Sequence, residues 1–384
     1  MNRASRVLVV AALLAIPGRG TAQTLPRGIV IDAVKCESDP AQSYALYLPS
    51  AYSADRKWNL LIAFHPAARG RLIVEKYAAA AERYGYVVAG SNVSRNGPWS
   101  VSVAAADAMW HDIGRRFAID PQRVYLTGMS GGARVALRIA LGGNNIAGVI
   151  ASSAGYPDSQ PRATVPFAIF ATAGTEDFNY AEMRALDRKL TSPHYLSIFT
   201  GGHTLPPDEV AADAIEWMEL QAIKSGRRPP DDRLVDLLLE KRRRAVAAST
   251  STAETVHLLE ALLSDFNGLR DVSAEARRER DLSKQGEVKK ALARERGDED
   301  AEARILQEVY ALEGDLADND RHAAALSALR ARVSQVAKKA GAAEDSAERR
   351  QARRVLRAIA MGASARVQDR AYLSLLAEYA QIGR

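Results

Sequence analysis

Arg123-Val124-Tyr125-Leu126-Thr127-Gly128-Met129-Ser130-Gly131-Gly132-Ala133 is the stretch from which the fold is read. A β-branched and aromatic run enters it, and an alanine-rich helical run, Ala133 to Leu141, leaves it. Between the two sits Gly-x-Ser-x-Gly, formed by Gly128, Ser130 and Gly132. A serine on a sharp strand-to-helix turn must adopt a strained backbone, and neighbours without side chains make room for it. The turn lifts the hydroxyl above a sheet. It also aims the next backbone N–H, that of Gly131, at the point where an oxyanion would form.

Outward from this turn, the chain from Gly28 to about Ser225 alternates strand and helix. Gly28–Val34 and Ser43–Pro49 read as an antiparallel opening pair. Asn59–Phe64 is a continuous apolar run that suits a buried central strand. Tyr86–Gly90, Val124–Thr127, Ile146–Ser152, Phe167–Thr172 and Tyr195–Phe199 read as further strands. Ile73–Tyr84, Val101–Phe117 and Glu209–Ala222 read as helices between or after them. Such alternation predicts an α/β fold with a largely parallel sheet. Ser225-Gly226-Arg227-Arg228-Pro229-Pro230-Asp231-Asp232 breaks the pattern and reads as a linker. Beyond it the chain is rich in Ala, Leu, Arg and Glu and holds no proline. Leucine and valine at helical spacing predict five or six amphipathic helices there, packed as a bundle or short solenoid. The basic run Lys241-Arg242-Arg243-Arg244 reads as a solvated helix face.

The length of 384 residues suits two domains. Residues 1–23 read as a secretory signal peptide: Arg3 and Arg6, then the apolar run Val7 to Ile16, then Thr21-Ala22-Gln23. The expected division is therefore 1–23 signal peptide, 24–226 α/β domain and 227–384 helical domain, in a secreted or periplasmic protein. The apolar run is too short to span a bilayer, and no membrane span is expected after cleavage. Cys36 is the single cysteine, so no internal disulfide can form, and a buried structural thiol is expected. The net charge of +6 is modest and interspersed, which argues against a nucleic-acid partner.

A serine hydroxyl needs a base, most often an imidazole held in one tautomer by a carboxylate. On a doubly wound sheet these groups sit on loops at the C-terminal strand ends, in chain order serine, acid, histidine. Of the six histidines, only His203 follows a strand, precedes a helix and lies beyond Ser130 in the α/β part. It belongs to Thr200-Gly201-Gly202-His203. The acid is expected at the end of the preceding strand, where Glu176 and Asp177 compete; the shorter Asp177 is preferred, with Glu176 as the alternative. A second oxyanion donor is expected after Asn59–Phe64. Pro66 has no N–H, so the Ala67 amide is the choice, beside that of Gly131. His65 has no partner at ligand spacing, so no metal is expected. Asn96, Pro98 and Trp99 are expected on a loop after a strand, and Trp99 and Met129 are the candidates for the substrate pocket wall.

The stretch from Leu61 to Trp217 resembles the α/β-hydrolase superfamily. Within it the chain looks like the secreted esterases grouped with polyhydroxyalkanoate depolymerases and feruloyl esterases. The matching features are Asp120-Pro121-x-Arg123-Val124-Tyr125 running into Gly128-x-Ser130-Gly131-Gly132, then Gly174-Thr175-x-Asp177, then Gly201-Gly202-His203. That resemblance implies a Ser130–Asp177–His203 triad, no cofactor, and an ester substrate, either a small molecule or an exposed polymer ester. The short segment Tyr156–Val165 leaves no room for a lid, which predicts an open cleft. The rival expectations are a peptidase or acyltransferase using the same triad, and a protein-binding helical module carrying a vestigial hydrolase. In the latter case the C-terminal helices would hold a protein partner.

Overall fold

The computed structural model describes residues 25–379 apart from Asn144, Ser159 and Pro161. The signal-peptide reading of residues 1–23 lies outside the described residues. Eight strands form one sheet: β1 (Val30–Lys35), β2 (Ser43–Tyr47), β3 (Trp58–Phe64), β4 (Tyr86–Ser91), β5 (Ile119–Met129), β6 (Gly148–Ser152), β7 (Ala168–Gly174) and β8 (His194–Phe199). Their order is β1-β2-β4-β3-β5-β6-β7-β8. β2 runs antiparallel to both β1 and β4, and every later pairing is parallel. β3 and β5 are central and buried along most of their length, as continuous apolar runs require when both faces are covered.

Five helices cover the sheet: α1 (Gly70–Tyr84), α2 (Trp99–Arg116), α3 (Gly131–Leu141), α4 (Tyr180–Lys189) and α5 (Asp208–Lys224). One face packs α2, α3 and α4 through Met109, Ile113, Leu137, Met183 and Leu186. The other packs α1 and α5 through Val74, Tyr77, Ile215 and Trp217. Trp99, expected on a loop, opens α2 instead, because Pro98 supplies an extended residue from which the helix can start.

The remaining chain forms α6 (Asp232–Ala248), α7 (Thr252–Phe266), α8 (Ser273–Lys284), α9 (Gly286–Asp315), α10 (His322–Ala340), α11 (Ala347–Ala360), α12 (Ala363–Arg366) and α13 (Arg370–Tyr379). These are eight helical segments among the described residues, where the leucine spacing predicted five or six. The extra breaks are short, the extended Gln285 between α8 and α9 and the pair Met361-Gly362 between α11 and α12, and apolar spacing does not register them. Side-chain caps start three of these helices: Asp231 accepts from Leu234 N, Ser251 from Glu254 N and Ser346 from Arg349 N.

The stretch between α5 and α6 is tied down. Arg228 pairs with Glu219 at 2.5 Å and with Asp231 at 2.6 Å. The basic run of α6 is largely the solvated face expected, with Lys241, Arg243 and Arg244 exposed and Arg242 packed inward. Lys241 pairs with Glu216 at 2.7 Å, Arg242 lies 4.0 Å over the Tyr195 ring, and Arg243 pairs with Glu275. Of the four, Arg244 is the most exposed. Acidic and aromatic groups on α5, β8 and α8 reach Lys241, Arg242 and Arg243 at the edge of that face. Leu220 of α5 joins Leu234, Leu238, Leu259 and Phe266 in a third apolar cluster, and a fourth unites α9 to α13.

Candidate active site

β5 ends at Met129, and the chain turns sharply into α3 at Ser130, whose φ is 53° and ψ −122°. A non-glycine residue in that region costs about 1–3 kcal/mol, and the surrounding bonds must hold it there. Ser130 N donates to Ser152 O at 2.7 Å, which pins the turn to the end of β6. A Cβ on Gly132 would collide with the Phe64 carbonyl oxygen, so only glycine lets α3 approach β3 this closely. Gly131 is the first helical residue, and its N–H has no intrahelical acceptor.

His203 and Asp177 come to this turn from two neighbouring loops. His203 Nε2 lies 2.8 Å from Ser130 Oγ, and His203 Nδ1 lies 2.8 Å from Asp177 Oδ1. Asp177 is fully buried while His203 is 15% exposed. With the Nδ1 hydrogen given to the carboxylate, Nε2 is left to accept from the serine hydroxyl. Asp177 Oδ1 also accepts from Asn179 N at 2.8 Å. The two loops are stapled together, with Thr175 N donating to Phe199 O at 2.9 Å and Glu176 N to Gly201 O at 2.8 Å. A side chain at Gly174 would strike the Gly201 and Gly202 carbonyls. Glu176, the competing acid, turns away from the imidazole and meets Arg353 and Arg357 of α11.

A strained serine turn between a central parallel strand and a helix is the mark of one architecture. The fold is that of an α/β-hydrolase. No protein-family model matches the sequence, and no curated protein sequence matches it either. Among solved structures it is similar to Thermogutta terrifontis esterase 2 phosphorylated by paraoxon. There the identity is 14%, the match covers 52% of this chain and 96% of that one, and the TM-score is 0.40. For Est1E from Butyrivibrio proteoclasticus the identity is 15%, the coverage 49% and 97%, and the TM-score 0.40. A thermostable esterase matches at 17% identity and a TM-score of 0.37 over 49% of this chain, which spans 60% of that protein's length.

The sheet brings the loop after β3 beside the serine turn. Ala67 N donates to His65 Nδ1 at 3.1 Å. Ala67, the expected second oxyanion donor, thus has its amide on the side chain two residues before it, and an oxyanion there would take the place of His65 Nδ1. Burial, helped by Arg69, pushes the His65 imidazole below its ordinary pKa, which favours the neutral ring that can accept at Nδ1. Asn96, expected on the loop after β4, is the neighbour of both this loop and the serine turn. Its backbone N donates to Pro66 O at 2.8 Å, and its side chain lies directly against Gly131. Phe178 was missed altogether; its ring stacks on His203 with centroids 4.0 Å apart. Its position one residue after Asp177 was the available signal.

Of the two candidate pocket residues, Met129 is buried at the end of β5, and Trp99 is part exposed with Arg138 lying 4.9 Å over its ring. Tyr156–Val165 carries no helix among the described residues and walls a cleft of about 470 Å³ with Arg134, Glu182 and Lys189. None of Ser130, Asp177 and His203 lines that cleft, so the reacting groups lie outside it. Among the described residues no group of three or more His, Cys, Asp or Glu is arranged to hold a metal ion, and no helix is long and apolar enough to cross a membrane.

Proposed function

We propose that this chain is a serine esterase, exported from the cytoplasm, that cleaves carboxylic esters through an acyl-enzyme intermediate. The reading rests on one observation, the unbroken row of hydrogen bonds from Asp177 through His203 to Ser130. Ser130 Oγ attacks the ester carbonyl as His203 Nε2 takes its proton. Asp177 holds the imidazole in the required tautomer and stabilises the imidazolium. The Gly131 N–H, at the positive end of α3, donates to the oxyanion. Collapse breaks the bond to the alcohol, which leaves with the proton from His203. Water then adds to the acyl group, gives its proton to His203, and the acid departs as Ser130 regains its hydrogen.

A fluorophosphonate probe tests this directly. The wild-type chain is expected to take up one probe per molecule and Ser130→Ala none. Equal labelling of the two would end the serine-hydrolase reading. A panel of ester and peptide substrates then separates the esterase from a peptidase or acyltransferase with the same triad.

A further inference from the structure

The outer side of the acid loop is gripped by α11, a helix more than 170 residues further along the chain. Val355, Leu356 and Ile359 of α11 are buried in the C-terminal apolar cluster. Arg353, Arg354 and Arg357 fall on one adjoining stripe, because positions three and four apart share a helix face. Arg353 Nη1 donates to Glu176 Oε1 at 2.9 Å, and its Nε donates to Ala340 O of α10 at 3.0 Å. Arg354 Nη1 donates to Thr175 O at 2.8 Å, its Nη2 pairs with the buried Glu302 of α9 at 2.7 Å, and its guanidinium lies 4.4 Å over the Tyr180 ring. Arg357 Nη1 donates to Glu176 O at 2.9 Å and its Nη2 lies 3.5 Å from Glu176 Oε2. The same Nη1 would be 2.6 Å from a Cβ on Gly202, so it also rests against the residue before His203.

These contacts bracket Asp177 without touching it. They take the carbonyls of the two residues before it, the side chain of one, the ring three residues after it, and the backbone of the histidine loop. Farther along, Arg184 and Arg188 of α4 pair with Glu299 of α9. An arginine fork that binds a carbonyl and a carboxylate together fixes direction as well as distance. The loop it holds carries the carboxylate that orients the base.

We propose that Arg353, Arg354 and Arg357 are positioning residues for the Asp177–His203 pair, so that the C-terminal helices complete the catalytic geometry of the hydrolase instead of being a separate appendage. This rests on the serine-hydrolase reading and extends it. Misplacing a catalytic group by about 1 Å can cost on the order of a hundredfold in rate. The loss falls on kcat, because the arginines contact the acid and histidine loops and not Ser130.

The test uses the full chain. Arg353→Ala/Arg357→Ala is compared with wild type by steady-state turnover of a chromogenic acetate ester across pH, and by the rate of fluorophosphonate labelling. The expected result is a fall in kcat and labelling rate of about ten- to a hundredfold, KM within about twofold, and an acid limb displaced on the pH axis as the imidazole loses its fixed carboxylate. Arg353→Lys/Arg357→Lys keeps the charge on Glu176 and is expected to recover part of kcat. If the alanine pair does not fold, Glu176→Gln removes the loop's side of the ion pairs and carries the same expectation at smaller size. Wild-type kcat and an unmoved pH profile in a folded variant would overturn the proposal. Failure of the wild-type chain itself to label at Ser130 would instead overturn the hydrolase reading.

Discussion

At the scale of single residues, the serine turn depends on space as much as on chemistry. Gly132 sits where any Cβ would enter the Phe64 carbonyl, a backbone atom of the central strand that cannot rotate aside. Gly132→Ala is expected to cost about 1–3 kcal/mol or more in stability, as overpacking of a close-packed site does. It is also expected to abolish probe labelling, since α3 must slide away from β3 and carry the Gly131 N–H with it. Urea unfolding and labelling of the same sample check both parts; a fully labelled, equally stable variant would show that the turn tolerates the methyl. Cys36 illustrates the opposite case. It is buried, and burial beside Asp112 pushes its thiol up to about 11, so it behaves as an inert packing group.

At the scale of elements, α5 is the joint between the sheet and the later helices. Its Glu219 is almost fully buried and takes the Tyr86 hydroxyl at 2.5 Å, the Arg123 guanidinium of β5, and Arg228 at 2.5 Å. Arg123 also donates to the Tyr125 hydroxyl at 2.9 Å. Glu219→Gln leaves two guanidiniums facing a neutral amide, one of them buried. Breaking such a pair by removing one partner costs about 3–5 kcal/mol. A loss of unfolding free energy of that size, read from a lowered urea midpoint with unchanged slope, is the expected outcome; an unfolding free energy within about 0.5 kcal/mol of wild type would mean that the pair is solvated in solution.

At the scale of the whole molecule, the α/β part and the C-terminal helices meet in a charged seam that should make stability depend on pH. His257 of α7 faces Glu260 on its own helix, Glu295 of α9 at 2.9 Å and Arg184 of α4 at 3.2 Å. Glu260 and Glu295 raise the imidazole from its ordinary 6.5 to about 9. A protonated ring gives its Nε2 hydrogen to Glu295 and cannot also accept from Arg184, so the carboxylates win over the guanidinium. Because the folded value lies above the unfolded one, the contribution is complete below pH 6.5 and is lost as pH rises towards 9. His257→Gln is therefore expected to flatten the fall in Tm over that window, less so in high salt, since the ring is about a third exposed. Parallel wild-type and variant Tm curves from pH 6 to 9.5 would refute it.

What the sequence determined by itself was local. Gly128-x-Ser130-x-Gly132 between an apolar strand and an alanine-rich helix can hardly be folded another way, and strand–helix alternation predicted the sheet. His203 was legible because one histidine alone lay between the right two elements. The tertiary structure decided whatever depends on partners distant in the chain. It turned Asp177 rather than Glu176 towards the imidazole, because α11 claims Glu176 across 177 positions. It folded the His65 ring onto the Ala67 amide, laid Arg242 over Tyr195, and brought α11 to the acid loop. Periodicity and glycine placement act over a few residues, whereas ion pairs and burial are settled only when separate elements pack.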